Sequence, residues 1–219
     1  MPTTQSSHVE YTLNEWCRPP FTTMLETVFS DSSVQNFVDL GANVGGVIQS
    51  LEKLNYIPRL KKIVCFEPDA DNFAFLQTAS TAIQARHGIE ITCHNFGIYY
   101  GKTEAQVCGT GDGNIGGYFV QDDTIPRPVH AIPYDRKIFC LDTLEKHIDF
   151  PIDILKIDIE GSEMNVAAHS SAMKNSKYII FEWHFDHRLI HDFIKTHLPN
   201  HDIIADYIQQ QNYLLRRRD

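Results

Sequence analysis

The chain has 219 residues, 42% of them hydrophobic and 21% charged, with 28 acidic against 19 basic residues for a formal net charge of −9. That size suits one domain with a full core and no need of staples. The acidic balance argues against a grip on nucleic acid driven by phosphate neutralisation, and no apolar run has the length of a membrane span. Five cysteines, at 17, 65, 93, 108 and 140, form no C-x-x-C pair and predict a reducing compartment. The polar N-terminus carries no signal-peptide core, so a cytoplasmic location is expected.

In chain order, residues 1–20 are polar, end in Pro19-Pro20 and read as an N-terminal arm, with one domain at 21–219. Trp16 and Arg18 are read as packing against the body rather than folding over a ligand. Phe21, Leu25, Val28 and Phe29 recur at helical spacing. A first strand at 36–41 runs into the loop Gly41-Ala42-Asn43-Val44-Gly45-Gly46, and a helix follows at about 45–55. A second strand at 62–67 ends in Glu67. Asp69 or Asp71 is the candidate cap of the next helix, whose core face is Phe73, Leu76 and Ile83 and whose stop is Gly88. Ile89 to Phe96 reads as a third strand and Glu104 to Cys108 as a short one. Residues 109–117 hold five glycines and read as a loop, either a plain connection or a flap over an active site. Prolines at 126, 128 and 133 continue the irregular region, and Asp142-Thr143-Leu144-Glu145 has capping-box form. Strands at 152–159 and 178–181, helices from Ser162 and over 187–197, and a hairpin of 202–208 with 213–216 complete the pattern. The alternation predicts a mainly parallel sheet with right-handed crossovers.

Two places carry chemistry. The first is the glycine loop. A dinucleotide site would read G-x-G-x-x-G, whereas here the middle position is Asn43 and the order is G-x-x-x-G-G. Such a loop serves a pyrophosphate poorly. It suits a smaller nucleoside cofactor with a sulfonium and an amino-acid tail, and Glu67 can accept the ribose hydroxyls. The second is Leu155-Lys156-Ile157-Asp158-Ile159-Glu160-Gly161. A central parallel strand is usually apolar on both faces, yet alternation puts Lys156, Asp158 and Glu160 on one side.

The neighbouring strand ends in Glu182-Trp183-His184. Asp158, Glu182 and His184 are candidate ligands for magnesium or manganese, and His184 is alternatively a general base. The plainer reading is a structural pair between Lys156 and Asp158 or Glu160, with Glu182 orienting a neighbour and His184 capping a helix. His184, His187, His191, His197 and His201 crowd one region without an H-E-x-x-H motif, and read mainly as a polar shoulder.

Four stretches taken together resemble the FkbM family of S-adenosylmethionine-dependent methyltransferases. They are Val38-Asp39-Leu40-Gly41-Ala42-Asn43-Val44-Gly45, Phe66-Glu67-Pro68, Leu141-Asp142-Thr143-Leu144 and Leu155-Lys156-Ile157-Asp158-Ile159-Glu160-Gly161-Ser162-Glu163. The last is the most selective. The resemblance implies a single-domain, Rossmann-like class I methyltransferase α/β fold, mainly parallel, with seven strands and the last antiparallel. It implies Asp39, Gly41, Asn43 and Gly45 around the methionine portion of the cofactor, Glu67 on the ribose and Asn95 near the adenine.

The expected activity is O-methylation of a hydroxyl on a sugar or glycan. Lys156, Asp158, Glu160 and His184 are the catalytic candidates. Acceptor choice is expected to lie in the arm before residue 20 and in 109–117. Rival readings are methylation of a non-sugar small molecule and a non-catalytic glycan- or partner-binding member of the fold, which would be expected to lose the charged strand tip. A nicotinamide-dependent oxidoreductase is disfavoured by the glycine spacing. Nucleic-acid methylation is disfavoured by the charge and by the lack of an Asn/Asp-Pro-Pro-aromatic motif. No feature assigns an oligomeric state.

Overall fold

The computed structural model describes residues 16–109, 118–120 and 136–218. The start of the arm (1–15), the glycine segment from 110 to 117 and the prolines at 126, 128 and 133 lie outside the described residues. Helix α1 (Phe21–Phe29) leads to β1 (Asn36–Leu40), α2 (Gly46–Lys53), β2 (Lys62–Phe66), α3 (Ala70–His87) and β3 (Glu90–His94). Four strands then interrupt the alternation: β4 (Gly97–Ile98), β5 (Glu104–Gly109), β6 (Tyr118–Val120) and β7 (Arg136–Asp142). It resumes with β8 (Ile154–Ile157), α4 (Glu163–His169), α5 (Ser171–Asn175), β9 (Tyr178–Glu182), α6 (Ile190–His197), β10 (His201–Tyr207) and β11 (Asn212–Arg217).

The main sheet has seven strands in the order β10-β11-β9-β8-β1-β2-β3. β3, β2, β1, β8 and β9 pair in parallel, while β11 lies antiparallel to both β9 and β10. The chain leaves β1 towards β2 and β3, then returns to lay β8 on the other flank of β1. This reversal makes β1 and β8 the switch point of the sheet, and it is in the crevice outside the carboxyl ends at such a point that open α/β sheets bind ligands.

Both faces of the sheet are covered, which explains why β1, β2 and β8 are mostly apolar, with the buried pair Asp39 and Lys156 as the exceptions in β1 and β8. On one face, Phe37, Ile63, Cys65 and Ile154 pack under α1, α2 and α3. On the other, Val38, Leu40, Leu155, Ile157 and Phe181 meet residues of α4 to α6 such as Val166, Met173 and Phe193. α1 buries Phe21, Met24, Leu25, Val28 and Phe29, the stripe expected of an amphipathic helix. Each such side chain contributes about 1.5–3 kcal/mol. In α3 the cap is Asp69 rather than Asp71: its carboxylate accepts the N–H groups of Asp71 and Asn72, and Gly88 closes the helix at φ 67°.

Three local expectations are corrected. The span 97–142 carries a second sheet, β4-β7-β5-β6, where the sequence suggested one short strand in irregular chain. The capping box at 142–145 does not form. Thr143 makes no side-chain cap bond to the short 3-10 turn Leu144–Lys146, and Glu145 instead accepts from Ser170 Oγ (2.8 Å) and Ala172 N (3.0 Å), pinning α5. Strand β8 is also shorter than the expected 152–159, and the chain turns beyond Ile157. Trp16 joins the core, edge-on to Phe21 with ring centres 4.7 Å apart. No helix among the described residues is long and apolar enough to cross a membrane.

Candidate active site

One side of the switch point is built by Gly41, Asn43, Gly45 and Glu67. Gly41 has φ 77°, and its N–H and that of Ala42 both donate to the Phe66 carbonyl at 3.0 Å. A Cβ added to Gly41 would stand 1.8 Å from the Asp158 carbonyl oxygen. The loop after β1 and the tip of β8 therefore touch where only a hydrogen atom fits. Asn43 (φ 50°) and Gly45 (φ 85°) also adopt left-handed conformations and turn the chain into α2.

Glu67 holds this loop in place. Its Oε2 accepts the Asn43 N–H at 2.8 Å and its Oε1 accepts the Asp69 N–H at 2.9 Å. Burial pushes its carboxyl up to about 7, against the pull of those two N–H groups. Asn95 donates its side-chain amide to the carbonyls of Glu67 (2.9 Å) and Pro68 (3.2 Å), and so shapes the same turn from the end of β3. Lys137 of β7 forms an ion pair with Asp69, which ties the second sheet to this loop.

Beneath the loop lies a buried pair. Asp39 is 0% exposed, and neither of its carboxylate oxygens has a hydrogen-bond partner. Lys156 Nζ stands 3.4 Å from Asp39 Oδ1 and 3.4 Å from Asp158 Oδ2, donates to the Gly41 carbonyl at 3.0 Å, and lies 4.7 Å from the Trp16 ring centre. Burial opposes the ammonium charge, but Asp39, Asp158 and Glu182 together hold it above its ordinary pKa. Asp39 thus supports the loop from below, through Lys156, rather than through a surface of its own.

The other side is the turn after β8. Asp158 N–H donates to the Leu40 carbonyl at 3.2 Å, which extends the β1–β8 pairing by one step. Glu160 (φ 49°) and Gly161 (φ 92°) then reverse the chain; a left-handed non-glycine residue costs on the order of 1–3 kcal/mol. The turn brings Glu160 over the end of β9. There His184 Nε2 lies 3.4 Å from Glu160 Oε2, 3.7 Å from Asp158 Oδ1 and 3.8 Å from Glu182 Oε1. The other ring nitrogen, Nδ1, is 2.8 Å from Glu163 Oε1.

Burial disfavours a charge on His184, yet Glu163, Glu160 and Asp158 raise its pKa well above the ordinary histidine value. Partial burial, with Asp158 nearby, likewise raises the carboxyl groups of Glu160 (to about 7) and Glu182. Glu163 was missed as a site residue by sequence reasoning. Its signal was there: an acid in the first turn of the helix that follows a charged strand tip. Of the clustered histidines, only His184 reaches the crevice. His187 and His191 are exposed, and His201 is buried against the Ser176 carbonyl at 2.9 Å.

A seven-stranded sheet of this order, with one antiparallel strand near its edge and a glycine loop at the switch point, is the class I methyltransferase fold. The methyltransferase FkbM domain matches residues 39–215, and the chain belongs to the FkbM methyltransferase family. Among solved structures, the methyltransferase FkbM from Methylobacillus flagellatus KT is similar with a TM-score of 0.53 at 18% identity. The alignment covers 84% of this chain and 43% of that one, so the chain spans less than half of that protein's length. An rRNA methylase from Streptococcus thermophilus is similar with a TM-score of 0.50 at 11% identity, covering 92% of this chain and 98% of that one. At these identities the likeness is one of fold. No curated protein matches the sequence.

Proposed function

We propose that the protein is an S-adenosylmethionine-dependent O-methyltransferase whose acceptor is a hydroxyl group of a sugar or glycan. The observation that carries this reading is the contact of Gly41 with the Asp158 carbonyl, which sets the donor loop and the acid–imidazole tip wall to wall across one crevice. Methyl transfer from a sulfonium is an in-line displacement, so the protein's main task is alignment. In this reading Gly41, Asn43 and Gly45 line the methionine portion of the cofactor, and Asp39 and Lys156 fix them from below. Glu67 accepts the ribose hydroxyls with lone pairs left over from Asn43 and Asp69, since each carboxylate oxygen accepts twice. Asn95 keeps the adenine end of the turn in place.

A sugar hydroxyl is barely ionised at neutral pH and must lose its proton as the methyl arrives. The Asp158 carboxylate, with Glu160 in its ionised form, supplies proton acceptors on the side the acceptor enters, and His184 and Glu182 stand beside them as groups that hold a proton more firmly than usual. The same carboxylates accept hydrogen bonds from neighbouring hydroxyls and oppose a phosphate, because like charges placed together cost several kcal/mol. The rRNA methylase likeness therefore lends no support to a nucleic-acid acceptor.

The direct test offers methyl-labelled S-adenosylmethionine with pools of saccharides, peptides and small phenols. Label is expected in the saccharides; transfer confined to another pool would overturn the acceptor assignment. Asp158→Asn is expected to lower kcat by roughly 10²–10⁴-fold and to leave the S-adenosylhomocysteine Kd within a few-fold. Unchanged turnover would remove Asp158 from the chemistry.

Cofactor binding should also depend on pH through Glu67. Its carboxyl titrates at about 7 against an ordinary value of 4.5, and ribose hydroxyls donate to the ionised form. Binding should therefore weaken as pH falls through 7, by about tenfold between pH 8 and pH 6. The effect on folding runs the other way. A carboxyl raised in the folded state favours folding when protonated, so its contribution to stability grows as pH drops from 7 towards 4.5. Calorimetry at pH 6, 7 and 8 on the protein and on Glu67→Gln reads the first effect. An equal pH dependence in both would separate Glu67 from the ribose.

A further inference from the structure

We propose that Asp158, Glu160 and His184 bind one divalent cation of the magnesium–manganese class on the acceptor side of the crevice. The binding of the ion stands independently of the methyltransferase reading; only its role in activating an acceptor hydroxyl rests on that reading.

The geometry is that of a shared centre rather than of hydrogen bonds. Each of the three residues offers one ligand atom, and these atoms all lie within 4.8 Å of one another. The distances from His184 Nε2, 3.4 Å to Glu160 and 3.7 Å to Asp158, exceed the ~2.9 Å preferred by an N–H···O bond. Two ligands of an octahedral ion with bonds of about 2.1 Å stand ~3.0 Å apart when adjacent and ~4.2 Å apart when opposite. Both distances are a little longer than the adjacent spacing, so closing the site on an ion takes shifts of about 0.4–0.7 Å in these side chains.

The imidazole is also held as a ligand would be. Glu163 is completely buried, and its Oε1 fixes His184 Nδ1 at 2.8 Å, which aims Nε2 at the carboxylates. A carboxylate on the far nitrogen is the usual support of a metal-bound histidine. The second oxygen of Glu163 has no hydrogen-bond partner, although it too is fully buried. Charge leads to the same place. Asp158, Glu160, Glu163 and Glu182 surround one imidazole, and Lys156 is shared between Asp158 and the buried Asp39.

Two carboxylates and one imidazole suit a hard ion with further oxygen ligands, not a closed tetrahedral zinc site. The ligand set differs from the sequence expectation of Asp158, Glu182 and His184. The left-handed turn at Glu160 swings that carboxylate into the centre, and Glu182 stands beside it at 3.8 Å from Nε2.

The test uses the full chain, stripped with EDTA and desalted, titrated with manganese chloride while free Mn²⁺ is followed by electron paramagnetic resonance. S-adenosylhomocysteine binding is measured by calorimetry on the same sample. One Mn²⁺ per chain is expected. Binding should weaken at least tenfold in Asp158→Asn and in Glu160→Gln, two near-isosteric changes checked for folding by circular dichroism, and should be unaffected by Asp202→Asn on the distant edge strand. Protein that binds S-adenosylhomocysteine but no Mn²⁺ would overturn the cation site and spare the methyltransferase reading. Mn²⁺ binding untouched by both site variants would also overturn it. Mn²⁺ bound through Asp158 and Glu160 with no S-adenosylhomocysteine bound would uphold the site and count against the methyltransferase reading instead.

Discussion

Lys156→Met is expected to cost about 3–5 kcal/mol of folding stability and to abolish methyl transfer. The methionine keeps the length and most of the packing of the side chain, so the loss isolates the charge. Asp39 has no exposed surface and no hydrogen-bond partner on either oxygen; Lys156 at 3.4 Å is its ion-pair partner. Removing one member of a buried pair strands the other in a medium that solvates it poorly. The variant should also free the Gly41 carbonyl, which Lys156 Nζ holds at 3.0 Å, and let the glycine loop shift.

The deficit has a predictable pH dependence. Burial raises the Asp39 pKa even with Lys156 present, and removing the lysine raises it further. A carboxyl raised in the folded state penalises folding when ionised, so the stability gap between the two proteins should narrow as pH falls from 8 to 5. Urea unfolding at both pH values measures the gap. The double variant Lys156→Met with Asp39→Asn should recover part of the stability. A gap below about 1 kcal/mol, the range of surface pairs, would show that the pair is solvated in solution.

Gly41→Ala is expected to lower S-adenosylhomocysteine affinity by at least about a hundredfold (~2.7 kcal/mol). It should also cost roughly 2–4 kcal/mol of stability, since it combines a steric clash with strain at positive φ. The obstacle is backbone on both sides: the new methyl would stand 1.8 Å from the Asp158 carbonyl oxygen and 2.9 Å from its carbon, at a φ of 77°. No rotamer change relieves it, so the glycine loop and the turn after β8 must part. Gly88→Ala is the control. Its φ of 67° is equally left-handed, but nothing lies within 4 Å of the added carbon. It should cost only the ~1–2 kcal/mol of a left-handed alanine and leave cofactor affinity alone. Equal affinity losses in the two variants would mean that strain, not the β1–β8 contact, governs the site.

Much of this was legible in the sequence because the informative elements are local. β1, β2 and β8 are short apolar runs that end in glycine or acid, and α3 is bracketed by a cap at Asp69 and a stop at Gly88. Both signals act over a few residues, and both held. The second sheet was not legible. β7 begins with Arg136 and Lys137 and ends in Asp142, β4 has two residues, and the prolines at 126, 128 and 133 masked the pattern. Their strands are specified by pairing across distant sequence, which a local reading does not contain. The acid tip was found by composition, but its geometry followed another route. Alternation along an eight-residue strand would have put Lys156, Asp158 and Glu160 on one face. β8 stops at Ile157, Lys156 turns under the loop towards Trp16, and Glu160 arrives by a left-handed turn. Glu163 escaped because its role depends on His184, twenty-one positions away.

Trp16 and α1 change what counts as the unit of this protein. The family match begins at Asp39, yet α1 and Trp16 precede it and pack against β1, α2 and β8 in the same core. A fragment cut at the start of that match would bare Ile48, Leu51 and Ile154, and would let water reach the Lys156–Asp39 pair from the side that the indole closes. The stretch of chain that could be transplanted whole into another protein is therefore longer than the stretch that carries the family signature.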